Sequence, residues 1–194
     1  ARAILNAELD ARREIEESLH RAGGLCICAL SCVERLSDIL AGFAAEYGNA
    51  DFRIGSTPEG SDLLLDSAVS LDEVPAGAEV LFDEEICIAV PDGHRFADCG
   101  AVSLTELADD PFIALSGSES FQQVSEHIFR SAGIAMHAAI ECDSLALQSR
   151  LLSCGMGIAL AAAGEWRQLC EEGSVHLLHI RDAECRRYIY VQQL

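Results

Sequence analysis

Two turns bring short hydroxyl and thiol side chains to the ends of apolar segments. They are Leu30-Ser31-Cys32 and Leu115-Ser116-Gly117-Ser118, and each leads from a predicted strand into a predicted helix. In open α/β sheets, ligands bind beyond the carboxyl ends of strands, where free helix N–H groups and short polar side chains gather. Both turns therefore predict a binding site for a small ligand, although Ser31 and Ser116 are equally typical of ordinary helix N-caps.

The same serines do not form a hydrolase motif. The pattern Gly-x-Ser-x-Gly, which places a nucleophilic serine on a sharp strand-to-helix turn, does not occur around Ser116 or Ser118. Nothing in the spacing of His94, His127 and Asp143 marks a catalytic triad. The sequence therefore favours binding over catalysis, and we expect that the protein is not an enzyme.

Metal and redox chemistry have weaker support. His176 and His179, with Cys170 and Cys185, fit no standard zinc spacing, and two histidines three residues apart on a strand face opposite sides. Cys26 and Cys28 share a strand face and precede Cys32, but such thiols are more often small core residues. The best candidates for a reactive thiol are Cys32, at the start of a predicted helix, and Cys99, in a loop. We expect no metal and no cofactor.

The segment from Ile140 to Ala163 predicts a strand end, a helix, a glycine stop and a second strand. Asp143 or Ser144 can cap the helix, and the apolar run from Ile158 suits a strand buried on both faces. Because Gly155-x-Gly157 joins a helix to a strand, it is the reverse of a dinucleotide-binding turn. A nucleotide cofactor is therefore not predicted there.

Composition limits the class of protein. The chain has 194 residues, half of them hydrophobic, with a net charge of −19, nine cysteines and no lysine among its 13 basic residues. So acidic a surface repels phosphate backbones, and the lack of lysine excludes Schiff-base catalysis. The start carries no secretory pattern, so reduced cysteines in a cytoplasmic protein are expected. Because the first residue is Ala1, we also expect a fragment of a longer protein.

Helices and strands alternate along the chain, which predicts an α/β fold with a mostly parallel sheet. A charged helix is predicted over residues 2–21. The predicted strands are Leu25–Leu30, Phe52–Gly55, Leu63–Val69, Val80–Phe82, Ile86–Val90, Phe112–Leu115, Ala138–Cys142, Ile158–Ala163, Val175–Ile180 and Tyr188–Val191. For Leu63–Val69 a helix is the alternative.

Five segments in order resemble those of a known family. They are the charged helix 2–21; Leu25–Ile54; Phe82–Ala97 with its Pro-x-Gly-His turn; Val102–Ile113, with a pattern LxxLxxxPFI; and Glu141–Leu160, which is similar to DSLxxxxxLVxxGxGIAL. Together these segments resemble the regulatory part of the LysR-type transcriptional regulators over nearly the whole chain.

The resemblance implies a two-lobed fold like that of type 2 periplasmic binding proteins, with a small effector between the lobes. It divides the chain into a linker helix (1–22), a reduced first lobe (23–86) and a second lobe (87–194). The implied effector-binding positions are Ser31, Cys32, Ser70, Ser116, Gly117 and Ser118. The helix N–H groups behind Ser31 and Ser118 would favour a carboxylate.

The resemblance also implies partners. The linker helix would pair with a second subunit, giving a dimer or tetramer, and DNA would be bound only by a winged helix-turn-helix domain that these 194 residues do not include. No membrane is expected. Two departures bear on assembly, because the helix between the second and third strands and the C-terminal helix of the family have no counterpart here. The alternatives are a free-standing solute-binding protein or an enzyme on the same scaffold.

Overall fold

The computed structural model describes residues 24–48, 51–135, 137–171 and 173–194, so the predicted linker helix lies outside the described residues. The first half contains β1 (Leu25–Ala29), α1 (Val33–Tyr47), β2 (Phe52–Gly55), β3 (Leu63–Ala68), a 3₁₀ turn (Leu71–Glu73) and β4 (Glu79–Pro91). The second half contains β5 (Ala101–Val102), a 3₁₀ turn (Leu104–Leu107), β6 (Phe112–Leu115), α2 (Glu119–Ser131), β7 (Ala138–Cys142), α3 (Leu145–Ser153), β8 (Ala159–Ala162), α4 (Arg167–Glu171), β9 (Val175–Ile180) and β10 (Arg186–Gln193).

The helices form where apolar side chains recur at helical spacing beside a capping residue. In α2, Phe121, Val124 and Ile128 are buried on one face, and Ser118 caps the start by accepting from the Phe121 N–H. Between β2 and β3 the described chain contains only turns, as the sequence predicted. None of the described helices is long and apolar enough to cross a membrane.

The main sheet is mixed rather than mostly parallel. Its strands run in the order β2-β1-β3-β10-β4-β9-β5, with β8 also paired to β4. Parallel pairs join β1 to β2, β1 to β3 and β5 to β9, and a separate parallel pair joins β6 to β7. Both β4 and β10 run antiparallel to every strand that they contact. The prediction of a mostly parallel sheet was wrong at β4 and β10. These two strands pass between the two halves of the molecule and run in the direction opposite to their neighbours.

Strand β4 replaces two predicted strands. The sequence predicted separate strands over Val80–Phe82 and Ile86–Val90, with Asp83-Glu84-Glu85 between them. In the structure these residues continue the strand opposite two arginines of β10, with Arg187 in register with Glu84 and Arg186 in register with Glu85. The paired charges make the acidic run compatible with the sheet.

Separate apolar cores divide the molecule into two lobes. The first core includes Leu25, Ile27, Leu36 and Leu65, and Ile189 of β10 completes it. Two further cores lie around the second half of the chain. Buried members of these cores include Ile86, Ile88, Leu104, Phe112, Ile113, Leu152, Leu160 and Trp166. We call the part around the first core the first lobe and the remainder the second lobe; β4 and β10 are shared between them.

A buried ion cluster lies where the lobes meet. Arg187 has 2% of its side chain exposed, and its guanidinium donates to Glu84 Oε2 at 2.7 and 3.0 Å and to Glu165 Oε1 at 2.6 Å. Burial alone would lower the pKa of Arg187, but the two carboxylates outweigh it and raise that pKa above its usual value. Glu84 Oε1 also accepts the Gly164 N–H at 2.9 Å. The cluster therefore joins β4, β10 and the turn after β8.

Removing the cation of this cluster is expected to destabilise the fold strongly. In an Arg187→Met variant, Glu84 and Glu165 would stay buried without a positive partner, which typically lowers the free energy of unfolding by about 3–5 kcal/mol. Urea unfolding at pH 7 measures the difference. Arg186→Gln is the matched control, because this neighbour is half exposed and pairs with Asp83 at the surface, so its loss should move the midpoint little. Equal stability of the Arg187→Met variant and the wild type would contradict this role.

Candidate functional site

The two turns singled out from the sequence meet across the lobes. Ser31, after β1, lies 2.9 Å from the hydroxyl of Ser120 at the start of α2. Ser118 donates its hydroxyl to the carbonyl oxygen of Leu30 at 3.2 Å. The end of β1 in the first lobe therefore faces the β6–α2 turn of the second lobe.

Ser31 is the centre of a buried hydroxyl network. It has 4% of its surface exposed, and its Oγ lies 3.0 Å from Ser67 Oγ, 2.9 Å from Ser120 Oγ and 3.3 Å from Asp66 Oδ1. These contacts use the full capacity of one hydroxyl, which has one proton and two lone pairs. Ser31 therefore positions Asp66 and Ser67, and it does not line the cavity described below.

Cys32 does not suit the ligand-contact or redox roles considered for it. Its backbone is left-handed, with φ 59°, and its side chain is 3% exposed. Burial, followed by the nearby charge of Glu84, raises the pKa of the thiol to about 12. The thiol therefore stays protonated at neutral pH, and a protonated buried thiol is a poor nucleophile.

A cavity of about 740 Å³ opens between the lobes beside the hydroxyl network, and we call it the interlobe cavity. Gly117 and Ser118, two of the predicted effector-binding positions, line it. Apolar walls come from both lobes, and they comprise Ala29, Leu30, Val33, Ala68, Leu115 and Leu145. The space is large enough for a small organic molecule.

Four carboxylates line the interlobe cavity, and the sequence analysis assigned none of them to the site. Asp66 and Glu73 come from the first lobe, and Glu119 and Asp143 come from the second. Asp143 directly follows β7, so the rule that ligands meet the carboxyl ends of strands could have identified it. Asp66 lies inside β3, and only the tertiary structure shows that it reaches the cavity.

Tyr190 also lines the site, although the sequence did not predict it there. It lies in β10 opposite Asp66, and its ring lines the interlobe cavity. Burial, together with the charge of Asp66 and a hydrogen bond to it, raises the pKa of the phenol. The hydroxyl therefore remains protonated and holds the Asp66 carboxylate in place.

Two predicted positions lie elsewhere. Ser116 lines a smaller cavity of about 240 Å³ within the second lobe, and its hydroxyl donates to the Cys142 carbonyl at 3.1 Å. Ser70 begins the 3₁₀ turn and does not line the interlobe cavity, although Glu73 of the same turn does. Their predicted contact with an effector therefore has no support from this geometry.

The histidines are dispersed. His176 contacts Asp92 at 3.3 Å and His179 contacts Glu85 at 2.6 Å, so the two do not share a zinc site. His94 pairs with Asp110, and no described hydrogen bond joins it to Ser116 or Ser118.

Two other groups of potential metal ligands occur among the described residues, and neither lies in the interlobe cavity. One is Glu85, Cys87 and His179; the other is Cys32, Glu84 and Glu165, whose carboxylates are paired with Arg187. The earlier candidate pair of Cys26 and Cys28 belongs to neither group.

Comparison with known proteins identifies related domains. A family model for the LysR substrate binding domain matches residues 19–192. The uncharacterized HTH-type transcriptional regulator YybE of Bacillus subtilis (strain 168) is 23% identical over 161 residues, which cover 78% of this chain and 54% of that protein. The chain spans about half the length of the curated relatives that it matches.

Solved structures share the fold. The effector binding domain of QuiR, in complex with shikimate, has a TM-score of 0.70 and 18% identity, and the match covers 88% of this chain and 87% of that one. The CcmR regulatory domain of Synechocystis PCC6803, in complex with 2-PG, has a TM-score of 0.71 and 17% identity over 86% of this chain and 85% of that one.

A side chain at Gly117 is expected to disrupt the lining of the interlobe cavity. A Cβ atom there would lie 2.0 Å from the Asp143 carbonyl oxygen, so the β6–α2 and β7–α3 turns would have to separate. Overpacking of this kind lowers the free energy of unfolding by about 1–3 kcal/mol. Chemical denaturation of Gly117→Ala tests this. Gly55→Ala, in open space on β2, should stay within about 0.5 kcal/mol of the wild type. Equal effects of the two substitutions would be inconsistent with the close approach.

Thiol reactivity should follow burial. Cys99 and Cys154 are exposed, the latter at the end of α3, whereas Cys32, Cys87 and Cys185 are buried and burial raises the pKa of each thiol to about 12. Ellman's reagent at pH 8 should therefore modify Cys99 and Cys154 rapidly and the buried thiols only after denaturation. The fast phase should disappear in a Cys99→Ser/Cys154→Ser variant. If it persists there and also after Cys26→Ser and Cys170→Ser, which replace the half-buried thiols, a buried thiol reacts.

Proposed function

Because this chain belongs to the LysR substrate binding domain family, we propose that it is the effector-binding regulatory part of a transcriptional regulator. A small organic effector would bind in the interlobe cavity and change the angle between the lobes. In the complete regulator, that change would alter how paired subunits present their DNA-binding domains. This part of the protein binds its ligand without converting it, and it would act in the cytoplasm.

The interlobe cavity is the observation that carries the proposal. It lies at the carboxyl ends of β1 and β6, between two lobes with separate cores, and both lobes contribute lining residues. A ligand that touches both lobes binds open and closed forms with different affinity, which is what a conformational switch requires. The shikimate and 2-PG complexes of QuiR and CcmR support a small polar effector for this fold.

The contacts between the lobes suit a hinge. The hydroxyl of Ser31 meets that of Ser120, and Ser118 meets the Leu30 carbonyl, so neutral hydrogen bonds close the gap near the cavity. Each such bond contributes only about 0.5–1.5 kcal/mol, so binding energy of ordinary size can rearrange them. The strands β4 and β10 carry the chain between lobes and would act as the connection about which they move.

The proposed ligand contacts are Gly117 and Ser118, together with the side chains that face the cavity from both lobes. Ser31 acts indirectly by holding Asp66 and Ser67. We retain residues 23–86 and 87–194 as approximate lobes, with the return of β10 to the first core as an addition. Association of subunits through the linker helix and the lobes remains part of the proposal.

Blocking the cavity should abolish effector binding. Val33, at the start of α1, is 52% exposed and lines the cavity, so Val33→Trp would fill its entrance without entering a core. A ligand present at 100 times its dissociation constant stabilises a protein by about 2.7 kcal/mol, so a library of small charged and neutral metabolites can be screened by thermal shift. Compounds that raise the melting temperature of the wild type should leave that of Val33→Trp unchanged.

The matched control is Ile39→Trp. Ile39 is 47% exposed on the same helix and does not line the cavity, so this variant should respond to ligands as the wild type does. Ligands that stabilise Val33→Trp and the wild type equally would place the effector site elsewhere.

A further inference from the structure

We propose that the interlobe cavity selects an organic cation, an amine or guanidinium compound with an apolar body, rather than a carboxylate. This inference rests on the proposed function, which supplies the site, and it adds the chemical class of the effector. It departs from the carboxylate that the turn sequences favoured.

The charge lining the cavity is negative throughout. Asp66, Glu73, Glu119 and Asp143 line it, and none of the arginines or histidines in the described part of the chain does. The chain contains no lysine. At an effective dielectric constant near 20, each carboxylate within 4 Å of a unit positive charge attracts it by about 4 kcal/mol, and a carboxylate ligand would be repelled by a similar amount.

These carboxylates lack cationic partners within the described part of the chain, since no ion pair there includes any of the four. Two arginines, Arg187 and Arg35, contact other groups instead. Arg187 is buried between Glu84 and Glu165, and the Arg35 guanidinium lies 4.8 Å from the centroid of the Phe82 ring. The negative charge of the cavity is therefore available to a ligand.

One of the helix N–H groups that suggested an anion is already satisfied at α2. Ser118 Oγ accepts the Phe121 N–H, and the Ser118 carbonyl accepts the Gln122 N–H at 3.0 Å. Glu119 in the first turn also places a negative charge at the positive end of the helix dipole. An incoming carboxylate would therefore be repelled by the Glu119 carboxylate at the start of α2.

A bare metal ion does not fit the same lining. Among the described residues, no three ligand atoms of the cavity carboxylates approach one another closely enough to form a metal-binding group. Instead the charges are divided between the lobes, with two on each side. A ligand that spans this separation needs an extended body with donors at more than one point, which a diamine has and a metal ion lacks.

The remaining walls suit the apolar part of such a ligand. Leu30, Val33, Leu115 and Leu145 contribute aliphatic surface, and the Tyr190 ring adds an aromatic face that attracts cations. Because like charges on the two lobes repel one another, a cation between them would also favour closure. The same interaction would thus give both specificity and the conformational change.

The test compares cations with anions of equal length. Isothermal titration and thermal shift of the 194-residue chain are carried out with putrescine and cadaverine, and with the dicarboxylates succinate and glutarate. We expect the diamines to bind, more weakly as ionic strength rises, and the dicarboxylates not to bind. Calcium and magnesium chloride are the third arm, and we expect no saturable binding of either ion in the cavity.

A charge-neutralised cavity should lose this affinity. Glu73 and Glu119 are exposed residues on opposite lobes, so Glu73→Gln/Glu119→Gln should fold normally and weaken diamine binding at least 10-fold. The control Glu59→Gln/Glu171→Gln removes the same two charges from exposed positions outside the cavity and should leave the affinity within 2-fold of the wild type. If both variants weaken diamine binding equally, the loss comes from the change in net charge rather than from the cavity. That result would overturn the cation site.

The outcomes separate this inference from the proposed function. Binding of dicarboxylates or neutral compounds that Val33→Trp abolishes would overturn the cation assignment and uphold effector binding in the cavity. Diamine binding that survives Val33→Trp would overturn the cation assignment, because the diamine would then bind outside the cavity. If neither diamine binds at millimolar concentration, the cation assignment alone is overturned. The proposed function is tested separately by the thermal-shift screen of the wider metabolite library.

Discussion

The pairing of one buried arginine with two glutamates is the interaction on which the junction of the two lobes depends. Arg187 can remain in the interior only because Glu84 and Glu165 neutralise it, and this requirement sets the register of β10 against β4. With Arg187 opposite Glu84, β10 continues along β3 and places Tyr190 opposite Asp66. The guanidinium also lies 5.6 Å from the centroid of the Phe121 ring in α2. A single charge cluster therefore aligns both lobes with the cavity between them.

The acidic residues of this chain fall into two groups with opposite consequences. Glu84 is buried and Glu165 is half-buried, and both pair with Arg187, so they contribute to the connection between the lobes. Asp66, Glu73, Glu119 and Asp143 face the interlobe cavity without a described cationic partner, and their charge remains to act on a ligand. The serine network around Ser31 separates the two groups and links the lobes through neutral hydrogen bonds that are easier to rearrange than the ion cluster. Stability and movement thus depend on different interactions.

Much of the fold was predictable because it follows from local patterns. The glycine stop after α3 and the buried run of β8 each have a signature within a few residues, and the structure contains both. The cap of α2 is Ser118 rather than Ser116, the candidate that the sequence offered. The order of the segments also identified the family. The prediction of two separate strands in place of β4 was wrong because Asp83 and Glu84 pair with Arg186 and Arg187, about a hundred positions later in the chain, and Glu85 contacts His179. No local pattern contains information about a partner at that separation.

The sequence by itself determined the helices, most of the strands, the acidic character and the two serine-containing turns, because each depends on neighbouring residues or on composition. Only the tertiary structure decided which side chains surround the cavity. In that structure Ser31 and Cys32 are buried, and Ser116 lines another cavity. Asp66, Glu73 and Tyr190 line the cavity between the lobes. The physical reason is that a site between lobes is formed by strands distant in sequence, and their alignment depends on the buried Arg187 cluster rather than on the residues beside each site position.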